Sequence, residues 1–473
     1  MKVVLGVSGG IAAYKACELL RLFTESGHEV RVVPTRDALR FVGEPTWAAL
    51  SGNPVTTEVW ENVHEVPHVR IGQTADLVIV APATADLLAK AAHGLTGDLL
   101  TTTLLTARCP VVFAPAMHTE MWEHPATRAS VATLRERGDI VIDPASGRLT
   151  GADTGPGRLP DPEEIFEVCR RVLRGAPRDL AGRRVVVSAG GTREAIDPVR
   201  FIGNRSSGLQ GYALARTAVA RGAQVTLVAA NVSLPDPAGA TVVRVESTAE
   251  LRTAVLSASA GADAVVMAAA VADFRPAERA TSKIKKTSGE PEAIHLTKNP
   301  DILAELGRRR AQHLGRQGPD TGQADQLGGV HQSDGAGQSG RAGQPSGVDQ
   351  SGGADQLDGV GRPGGAGQGG EAGRLGPEGR SGGAGRAVPD GGPAVIVGFA
   401  AETDDVLANG QAKLVKKGCD LLVVNQVGER LAFGTPDNAA TILVAGGDPV
   451  EVPRGPKEDL ADALWTLVAA RLT

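Results

Sequence analysis

Short apolar runs, each closed by glycine or a polar turn, recur along two long stretches of the chain. The first stretch opens with the apolar run Val3–Val7 and a turn at Ser8–Gly10. Apolar residues at helical spacing then follow from Ala12 to about Phe23, before a second apolar run at Val30–Val33. A strand, a helix and a strand in this order predict a β-α-β unit, and therefore a parallel sheet.

The same plan appears twice. In the first stretch Leu77–Ala81 and Val111–Ala114 are predicted to extend the sheet, and in the second stretch a helix is predicted over about Tyr212–Ala220. The strands predicted in the second stretch are Val185–Ser188, Val225–Ala229, Val265–Ala269, Val395–Val397 and Leu421–Val424. We therefore predict an α/β protein with two Rossmann-like parallel-sheet domains in tandem, the first flavodoxin-like and the second doubly wound.

The domain boundaries follow from composition. Residues 1–178 form the first predicted domain and residues 179–473 the second, joined by the basic, Pro177-containing segment Arg170–Arg184 as a linker. Residues 313–393 are rich in Gly, Gln, Ser and Asp and contain no aromatic residue. Such a segment buries too little apolar surface to offset its ordering entropy, so we predict a long disordered insertion in the second domain.

Composition excludes several classes of function. A net charge of −5 and an aromatic content of 3% argue against a nucleic-acid-binding protein. The longest uncharged apolar run, Ala264–Ala272, is far shorter than the ~18 residues of a membrane span, and Met1–Val7 is too short for a secretory leader. The four cysteines form no CxxC pair, so neither a zinc site nor a disulfide framework is indicated and a cytoplasmic location is expected.

Three features of the first domain are candidates for chemistry. The Ser8–Gly10 turn after a strand suits phosphate binding at a helix N-terminus, although a plain tight turn is an equal alternative. Residues Thr84–Asp86 and Met117–His118 follow strands, where ligands bind in parallel sheets, although prolines that merely end strands explain the same pattern. His68 lies in a half-apolar segment interpreted as a strand, and is either structural or a proton-transfer group.

Two features of the second domain indicate anion binding. Asn204–Gly208 precedes a predicted helix and offers cap residues and a loop of N–H groups. Lysine is much rarer than arginine in this chain, yet it clusters at Lys283–Lys286 and at Lys413–Lys417. Clustered ammonium groups indicate point charges set against phosphates, with a solvated charged face as the alternative.

These segments together resemble one family closely. The similarity extends from Val7–Lys15 through Ala81–Asp86, Gly155–Arg158 and Asn204–Gly208 to Gly398–Thr403, in a fixed order. The family is that of the bifunctional coenzyme A biosynthesis proteins, in which a phosphopantothenoylcysteine decarboxylase is fused to a phosphopantothenate–cysteine ligase. The resemblance implies a cytoplasmic homo-oligomeric enzyme of small-molecule substrates, with no nucleic-acid or membrane partner.

For the first domain the resemblance implies an FMN-dependent decarboxylase that converts 4′-phosphopantothenoylcysteine to 4′-phosphopantetheine. His68 matches the family's catalytic histidine. The residues expected to bind FMN or the decarboxylase substrate are Ser8, Gly9, Gly10, Thr84, Ala85, Asp86, Met117 and His118.

For the second domain it implies a ligase that joins 4′-phosphopantothenate to cysteine with CTP and Mg²⁺, through an acyl-cytidylate. Asn204 and Lys283 match catalytic positions, and no metal ligands are assigned. The residues expected to contact CTP are Ala268, Ala269, Asp273, Lys283, Pro300, Asp301, Ile302, Leu303, Phe399, Lys413 and Lys417.

Two positions of the first domain depart from the family pattern. His118 stands where the family has an asparagine, and Gly151 where the family commonly has a cysteine acid. These departures keep two alternatives open, a ligase with an impaired decarboxylase domain and a silent flavoprotein that acts as a regulatory subunit.

Overall fold

The computed structural model describes residues 1–55, 67–149, 153–285, 293–316, 392–402, 406–426 and 437–473. Most of the predicted insertion, together with Gly151 and Lys286, lies outside these ranges.

The first half of the chain forms a five-stranded parallel sheet in the order β2-β1-β3-β4-β5. Its strands are β1 (Lys2–Val7), β2 (Glu29–Pro34), β3 (Leu77–Ala83), β4 (Val111–Pro115) and β5 (Ile140–Val141), followed by a hairpin of β6 (Ala145–Arg148) and β7 (Thr154–Arg158). Every residue of β3 is buried, because helices cover both faces of the sheet. This burial is why continuous apolar runs predicted β1 to β4 correctly, whereas β5 and the β6–β7 hairpin were not predicted.

The helices of this half are α1 (Ala13–Glu25), α2 (Glu44–Ser51), α3 (Pro67–Thr74), α4 (Ala85–His93), α5 (Leu99–Thr106), α6 (Thr119–Glu123), α7 (Pro125–Glu136) and α8 (Pro162–Leu173), with a 3₁₀ turn at Ala38–Arg40. The prediction that His68 lies in a strand is wrong, since its backbone belongs to α3. In that short segment Val69 and Ile71 alternate with polar residues as in a strand, and a run this short does not distinguish the two periods.

The second half is built on an eight-stranded sheet in the order β12-β11-β8-β13-β16-β17-β18-β19. The strands of the sheet are β8 (Arg184–Gly190), β11 (Gln224–Ala230), β12 (Ala240–Val245), β13 (Ala264–Met267), β16 (Val395–Glu402), β17 (Leu421–Gln426), β18 (Asp437–Val444) and β19 (Val450–Pro456). Two short pairs lie outside it, formed by β9 (Arg193–Ala195) with β10 (Phe201–Gly203) and by β14 (Phe274–Pro276) with β15 (Leu296–Lys298). The first six strands in this order are parallel, and β18 and β19 add an antiparallel edge that sequence analysis did not predict.

Helices cover both faces of this sheet. They are α9 (Leu209–Ala220), α10 (Thr248–Ser259), α11 (Ile302–Arg316), α12 (Val406–Lys417) and α13 (Lys457–Leu472). Apolar residues of α9 and α13 pack on one face, and those of α10, α11 and α12 pack on the other. The chain runs outward from β8 in one direction and from β13 in the other, so a topological switch point lies between these strands.

The predicted linker Arg170–Arg184 is not a free connection. Its first residues complete α8, and Arg171 is only 6% exposed and forms an ion pair with Asp462 of α13. Leu180 is fully buried in the core of the second half. Basic residues in this segment therefore join the two halves, because buried guanidinium groups need carboxylate partners.

Two further expectations can be compared with the described chain. The four cysteines, all of which lie in described ranges, are unpaired thiols. Within the described residues no helix is long and apolar enough to cross a bilayer.

Candidate active sites

The first candidate site lies where β1 and β3 end. Ser8 is buried, and its Oγ donates to the Pro82 carbonyl at 2.7 Å while it accepts from the Thr84 N–H at 2.9 Å. Thr84 in turn caps α4, with its Oγ1 accepting from the Leu87 N–H. One hydroxyl therefore fixes the turn after β1 against the N-terminus of α4, and brings Ser8, Thr84 and Ala85 together.

The Ser8–Gly10 turn is shaped for an anion. Within the described part of the chain, the N–H groups of Gly9, Gly10 and Ile11 have no protein acceptor, and Ala12 provides no side-chain cap for α1. A Cβ at Gly9 would collide with the Cβ of Asp37, so glycine is required there. Unpaired N–H groups at a helix N-terminus favour a phosphate, and these residues fit the phosphate of a flavin mononucleotide.

The hairpin β6–β7 closes against the segment after β4. The Met117 N–H donates to the Gly157 carbonyl at 2.9 Å, and Thr119 Oγ1 donates to the Pro156 carbonyl at 2.8 Å. Gly157 has a φ of 145°, and a Cβ there would collide with the Met117 carbonyl oxygen. The hairpin thus holds Met117 half-buried and leaves His118 exposed at the start of α6.

Of the remaining residues predicted for this site, one is exposed and two are described only in part or not at all. Asp86 is exposed and pairs with Lys90 one helical turn later, at 2.8 Å. The backbone of His68 is described within α3, whereas its side chain and the whole of Gly151 lie outside the description. Their roles stay predictions.

The second candidate site is a cleft of about 830 Å³ at the carboxyl ends of the second sheet. It lies at the switch point, where open α/β sheets bind their ligands. The cleft brings together most of the residues predicted to contact CTP, together with one predicted catalytic residue. They are Asn204, Ala268, Ala269, Asp273, Pro300, Asp301, Ile302, Leu303, Phe399, Lys413 and Lys417.

One rim of the cleft carries paired charges from α11 and α12. Lys417 of α12 forms an ion pair with Asp301, whose other carboxylate oxygen accepts from the Ala304 N–H and caps α11. Burial acts to raise the pKa of Asp301, but the hydrogen bonds from Lys417 and Ala304 outweigh it and lower the pKa. The carboxylate therefore holds the ammonium at the cleft near neutral pH.

A buried polar network supports the floor of the cleft. Thr192 Oγ1 accepts from the Ala272 N–H at 2.9 Å and lies 3.1 Å from Thr248 Oγ1. Thr248 donates to the buried carboxylate of Glu194, and the Asn299 side chain donates to both Thr248 and the Ala272 carbonyl. These bonds fix the segments on which Asp273 and Pro300 lie.

The opposite rim begins at Asn204. Its Nδ2 donates to the Val271 carbonyl at 2.9 Å, which ties this loop to the segment after β13. Gly208 has a φ of 78° and precedes α9 without a side-chain cap, so the first N–H groups of that helix remain available to an anion.

Lys283 does not line the cleft. It is exposed in the loop after β14, and the adjacent Ile284 N–H donates to the buried carboxylate of Asp197 at 3.2 Å. Burial acts to raise the pKa of Asp197, but hydrogen bonds from the N–H groups of Val199, Arg200 and Ile284 lower it. Asp197 thus anchors the loop of Lys283 beside the β9–β10 pair.

The cleft also contains polar residues that sequence analysis missed. Gln210, Asn425, Asn438 and Lys457 line it together, from α9, β17, β18 and α13. Lys457 follows a charged, proline-containing segment that is typical of a surface, so no local pattern marked it. Among the described residues, no cluster of three or more His, Cys, Asp or Glu side chains is arranged to hold a metal ion.

Both halves match known family models. Residues 1–174 match the model described as "Flavoprotein", and residues 180–315 with 387–472 match the "DNA/pantothenate metabolism flavoprotein C-terminal domain". The chain is 50% identical to the coenzyme A biosynthesis bifunctional protein CoaBC of Mycolicibacterium smegmatis, over 100% of this chain and 98% of that protein. The chain belongs to the CoaBC family.

Other CoaBC proteins are similar over nearly their full length. That of Vibrio vulnificus (strain CMCP6) is 36% identical over 94% of this chain and 92% of its own. A crystal structure of the C-terminal domain of a CoaBC protein is 25% identical, with a TM-score of 0.38 over 62% of this chain and 98% of that one. As a CoaBC family member the chain is a bifunctional enzyme of coenzyme A biosynthesis, with a flavoprotein domain in its first half.

Proposed function

We propose that the second half ligates 4′-phosphopantothenate to cysteine with CTP, and that the first half decarboxylates the product with FMN. The observation that carries the proposal is the cleft of about 830 Å³ at the switch point, into which the α12 lysines and the α9 N-terminus converge. A triphosphate and a carboxylate both need positive potential, and these two elements supply it.

In the ligase cleft the chain's own groups position the substrates. Lys413 and Lys417 neutralise the triphosphate, and Asp273 with Pro300–Leu303 and Phe399 hold the ribose and the base. Asn204 lines the opposite rim, in the loop before α9, and is proposed to orient the acyl-cytidylate there. In-line positioning and charge neutralisation lower the barrier to nucleotidyl transfer.

Mg²⁺ is proposed to accompany CTP. It takes most of its ligands from phosphate oxygens and water, so a dedicated protein cage is not required. We assign no residue of this chain to it.

In the flavoprotein domain the Ser8–Gly10 turn is proposed to hold the FMN phosphate, with Thr84–Asp86 beside it. Bound FMN supplies reversible two-electron chemistry. His68 is proposed to move a proton at the substrate, which an imidazole does well near neutral pH. Met117 and His118, held by the β6–β7 hairpin, are proposed to contact the substrate or the cofactor.

We also propose a homo-oligomer with flavin sites at subunit contacts, in the reducing cytoplasm. Ile11 and Tyr14, next to the flavin turn, are 72% and 61% exposed, as expected of apolar side chains that a second copy covers.

Two assays on the purified full chain test the proposal. CMP release should require CTP, phosphopantothenate and cysteine together, and CO₂ should be released from phosphopantothenoylcysteine by a yellow protein that yields FMN on denaturation. CMP release in the absence of cysteine, at the full rate, would contradict the ligase assignment. A colourless protein without CO₂ release would contradict the decarboxylase assignment.

The second candidate is a ligase with an impaired decarboxylase domain. It is favoured by the exposed His118, which stands where the family has an asparagine, and by Gly151 in place of a cysteine acid. Bound FMN with normal CMP release but little CO₂ would support it over the first proposal.

A further inference from the structure

Lys457 is a buried cation at the end of the ligase cleft. Its side chain is the first of α13, it lines the cleft, and the residue is only 6% exposed. The ammonium donates to the Asp437 carbonyl at 3.2 Å, and no described carboxylate lies within ion-pair distance of it. A buried ammonium with three donors and one backbone acceptor is poorly compensated.

The surroundings of Lys457 are polar and incompletely satisfied. Gln210 donates to the Lys457 carbonyl at 3.3 Å and accepts from Asn438 at 3.0 Å. Asn425 donates to Asn438 at 3.4 Å, while its own Oδ1 is buried and has no hydrogen-bond partner among the described residues. This end of the cleft therefore offers a cation and a free acceptor to a ligand that carries an anion and a hydroxyl or amide donor.

The position of Lys457 separates it from the nucleotide rim. Lys413 and Lys417 belong to α12, which packs on one face of the sheet, whereas Lys457 begins α13 on the other face. Both groups of lysines reach the same cleft at the sheet's carboxyl edge. The α12 lysines on one side of the cleft and Lys457 on the other suit two separate anions better than one.

The ligase reaction has a second phosphate besides the triphosphate. Phosphopantothenate carries a 4′-phosphate at one end, a carboxylate at the other, and a hydroxyl and an amide N–H between them. Its carboxylate must meet the α-phosphate of CTP at the centre of the cleft, beside Asn204. We propose that Lys457 binds the 4′-phosphate of phosphopantothenate, with Asn425 Oδ1 accepting from its hydroxyl or amide.

This inference rests on the proposed ligase function and makes Lys457 a specificity-determining residue for phosphorylated over unphosphorylated pantothenate. Burial lowers the pKa of Lys457, against the opposing effect of the Glu458 and Asp437 carboxylates. A dianionic phosphate would favour its charged form.

Calorimetric binding of phosphopantothenate and of pantothenate to the full chain, without CTP or cysteine, tests the proposal. For Lys457→Gln we expect the preference for phosphopantothenate over pantothenate to fall about 100-fold, the usual effect of removing one partner of a buried charge pair. The Kd of CTP should stay within about twofold.

Arg454→Gln is the matched control. Arg454 lies three residues earlier, is exposed, and approaches the same Asp437 at 3.9 Å, but it does not line the cleft. Its substitution should leave both pantothenate affinities unchanged.

A second variant covers the case in which Lys457→Gln does not fold. Asn425→Asp is nearly isosteric and adds a negative charge at the same end of the cleft, so it should also reduce the preference for phosphopantothenate, by about tenfold. An unchanged preference in either folded variant would overturn the proposal, as would a weakened Kd for CTP with the preference intact. A wild-type chain that binds both pantothenates equally would also overturn it, whereas failure of the ligase function would appear separately as absent CTP-dependent CMP release.

Discussion

Ser8 links two loops of the flavoprotein domain that are distant in sequence, through hydrogen bonds of its side chain. Its hydroxyl is buried and bonded on both sides, to the Pro82 carbonyl and the Thr84 N–H. Ser8→Ala should therefore reduce the free energy of unfolding by about 1–2 kcal/mol and release FMN from the purified protein. Chemical denaturation and the flavin-to-protein absorbance ratio measure the two effects.

Ser26→Ala is the control for this prediction, because Ser26 is an exposed serine at the other end of α1. Flavin retained by Ser8→Ala at the level of Ser26→Ala would show that the turn does not hold the cofactor.

Glu164 makes the stability of the protein depend on pH. Burial raises the pKa of this α8 carboxyl to about 7 from its usual 4.5, against the opposing effects of Arg216 and the Ala238 N–H. Between these two values the unfolded chain releases the proton and the folded chain keeps it, so stability falls as pH rises from 4.5 to about 7. Glu164→Gln should raise the free energy of unfolding at about pH 8 by about 2 kcal/mol, an amount reduced for partial exposure.

Urea denaturation across this pH range checks the prediction, with Glu163→Gln as the matched control on the exposed side of α8. In the Glu164→Gln variant the free energy of unfolding should no longer fall between pH 4.5 and about 7, whereas it should fall in the wild type and in the control. A slope that survives in all three proteins would assign the pH dependence to another group.

Residues that belong to a local sequence pattern could be predicted, and residues outside such patterns could not. Lysine clusters and a loop before a helix pointed to Lys413, Lys417 and Asn204, and the cleft contains all three. Lys457 had no such signal, because its polar contacts come from Asp437 and Gln210, which lie 20 and 247 residues away in sequence. A lone residue acquires its environment only through tertiary packing.

At the scale of elements, α8 is one of the parts of the flavoprotein domain that contact the ligase domain. Arg171 of α8 and Arg221, which ends α9, both reach the Asp462 carboxylate of α13, and Arg221 also pairs with Asp179 at 2.5 Å. Asp462→Ala would leave Arg171 buried without this carboxylate. We expect a loss of about 3 kcal/mol in the free energy of unfolding.

Asp459→Ala provides the comparison, since Asp459 lies one turn earlier on α13 and pairs with Arg170 at 3.5 Å while half-exposed. It should change stability by less than about 1 kcal/mol in the same denaturation experiment. Equal effects of the two substitutions would mean that the buried pair contributes no more than a surface pair.

Elements differed in how far sequence could predict them. Most of the parallel strands were predicted because both of their faces are buried and their apolar runs are continuous, as in β3. The parallel edge strand β12 has no buried residue and was not predicted. Strand β18 begins with the polar residues Asp437 and Asn438 and mixes buried with partly exposed positions, so it lacks the continuous apolar run of the central strands. Docking of α8 on α9 and α13 was not predictable, because its basic residues are equally typical of a linker.

At the scale of the whole molecule, the two sites lie on separate sheets and should be separable by mutation. Lys413→Gln should reduce ligase turnover by about tenfold or more and spare CO₂ release, because Lys413 lines the ligase cleft and a lost phosphate contact acts within its own domain. His68→Asn should do the reverse. Loss of both activities in either folded variant, measured by the CMP and CO₂ assays, would contradict the division of labour.

The ligase domain also tolerates a long interruption between α11 and β16. The Arg310 guanidinium donates to the Ala394 carbonyl at 3.2 Å, and Gly392 packs beside Arg310. Arg316 ends α11 six residues later, about 9 Å along the helix. Replacing residues 317–391 by about eight Gly and Ser residues should therefore leave Tm and CMP release unchanged, and a marked loss of either would show that the segment supports the fold or the reaction.

Because the chain leaves and re-enters the ligase domain at neighbouring points, another protein module can be inserted at that junction. A fluorescent or affinity module inserted between Arg316 and Gly392 would label the enzyme and leave both termini unmodified. The same junction could serve as the new ends of a circular permutant, in which the flavoprotein domain would lie between the two segments of the ligase domain.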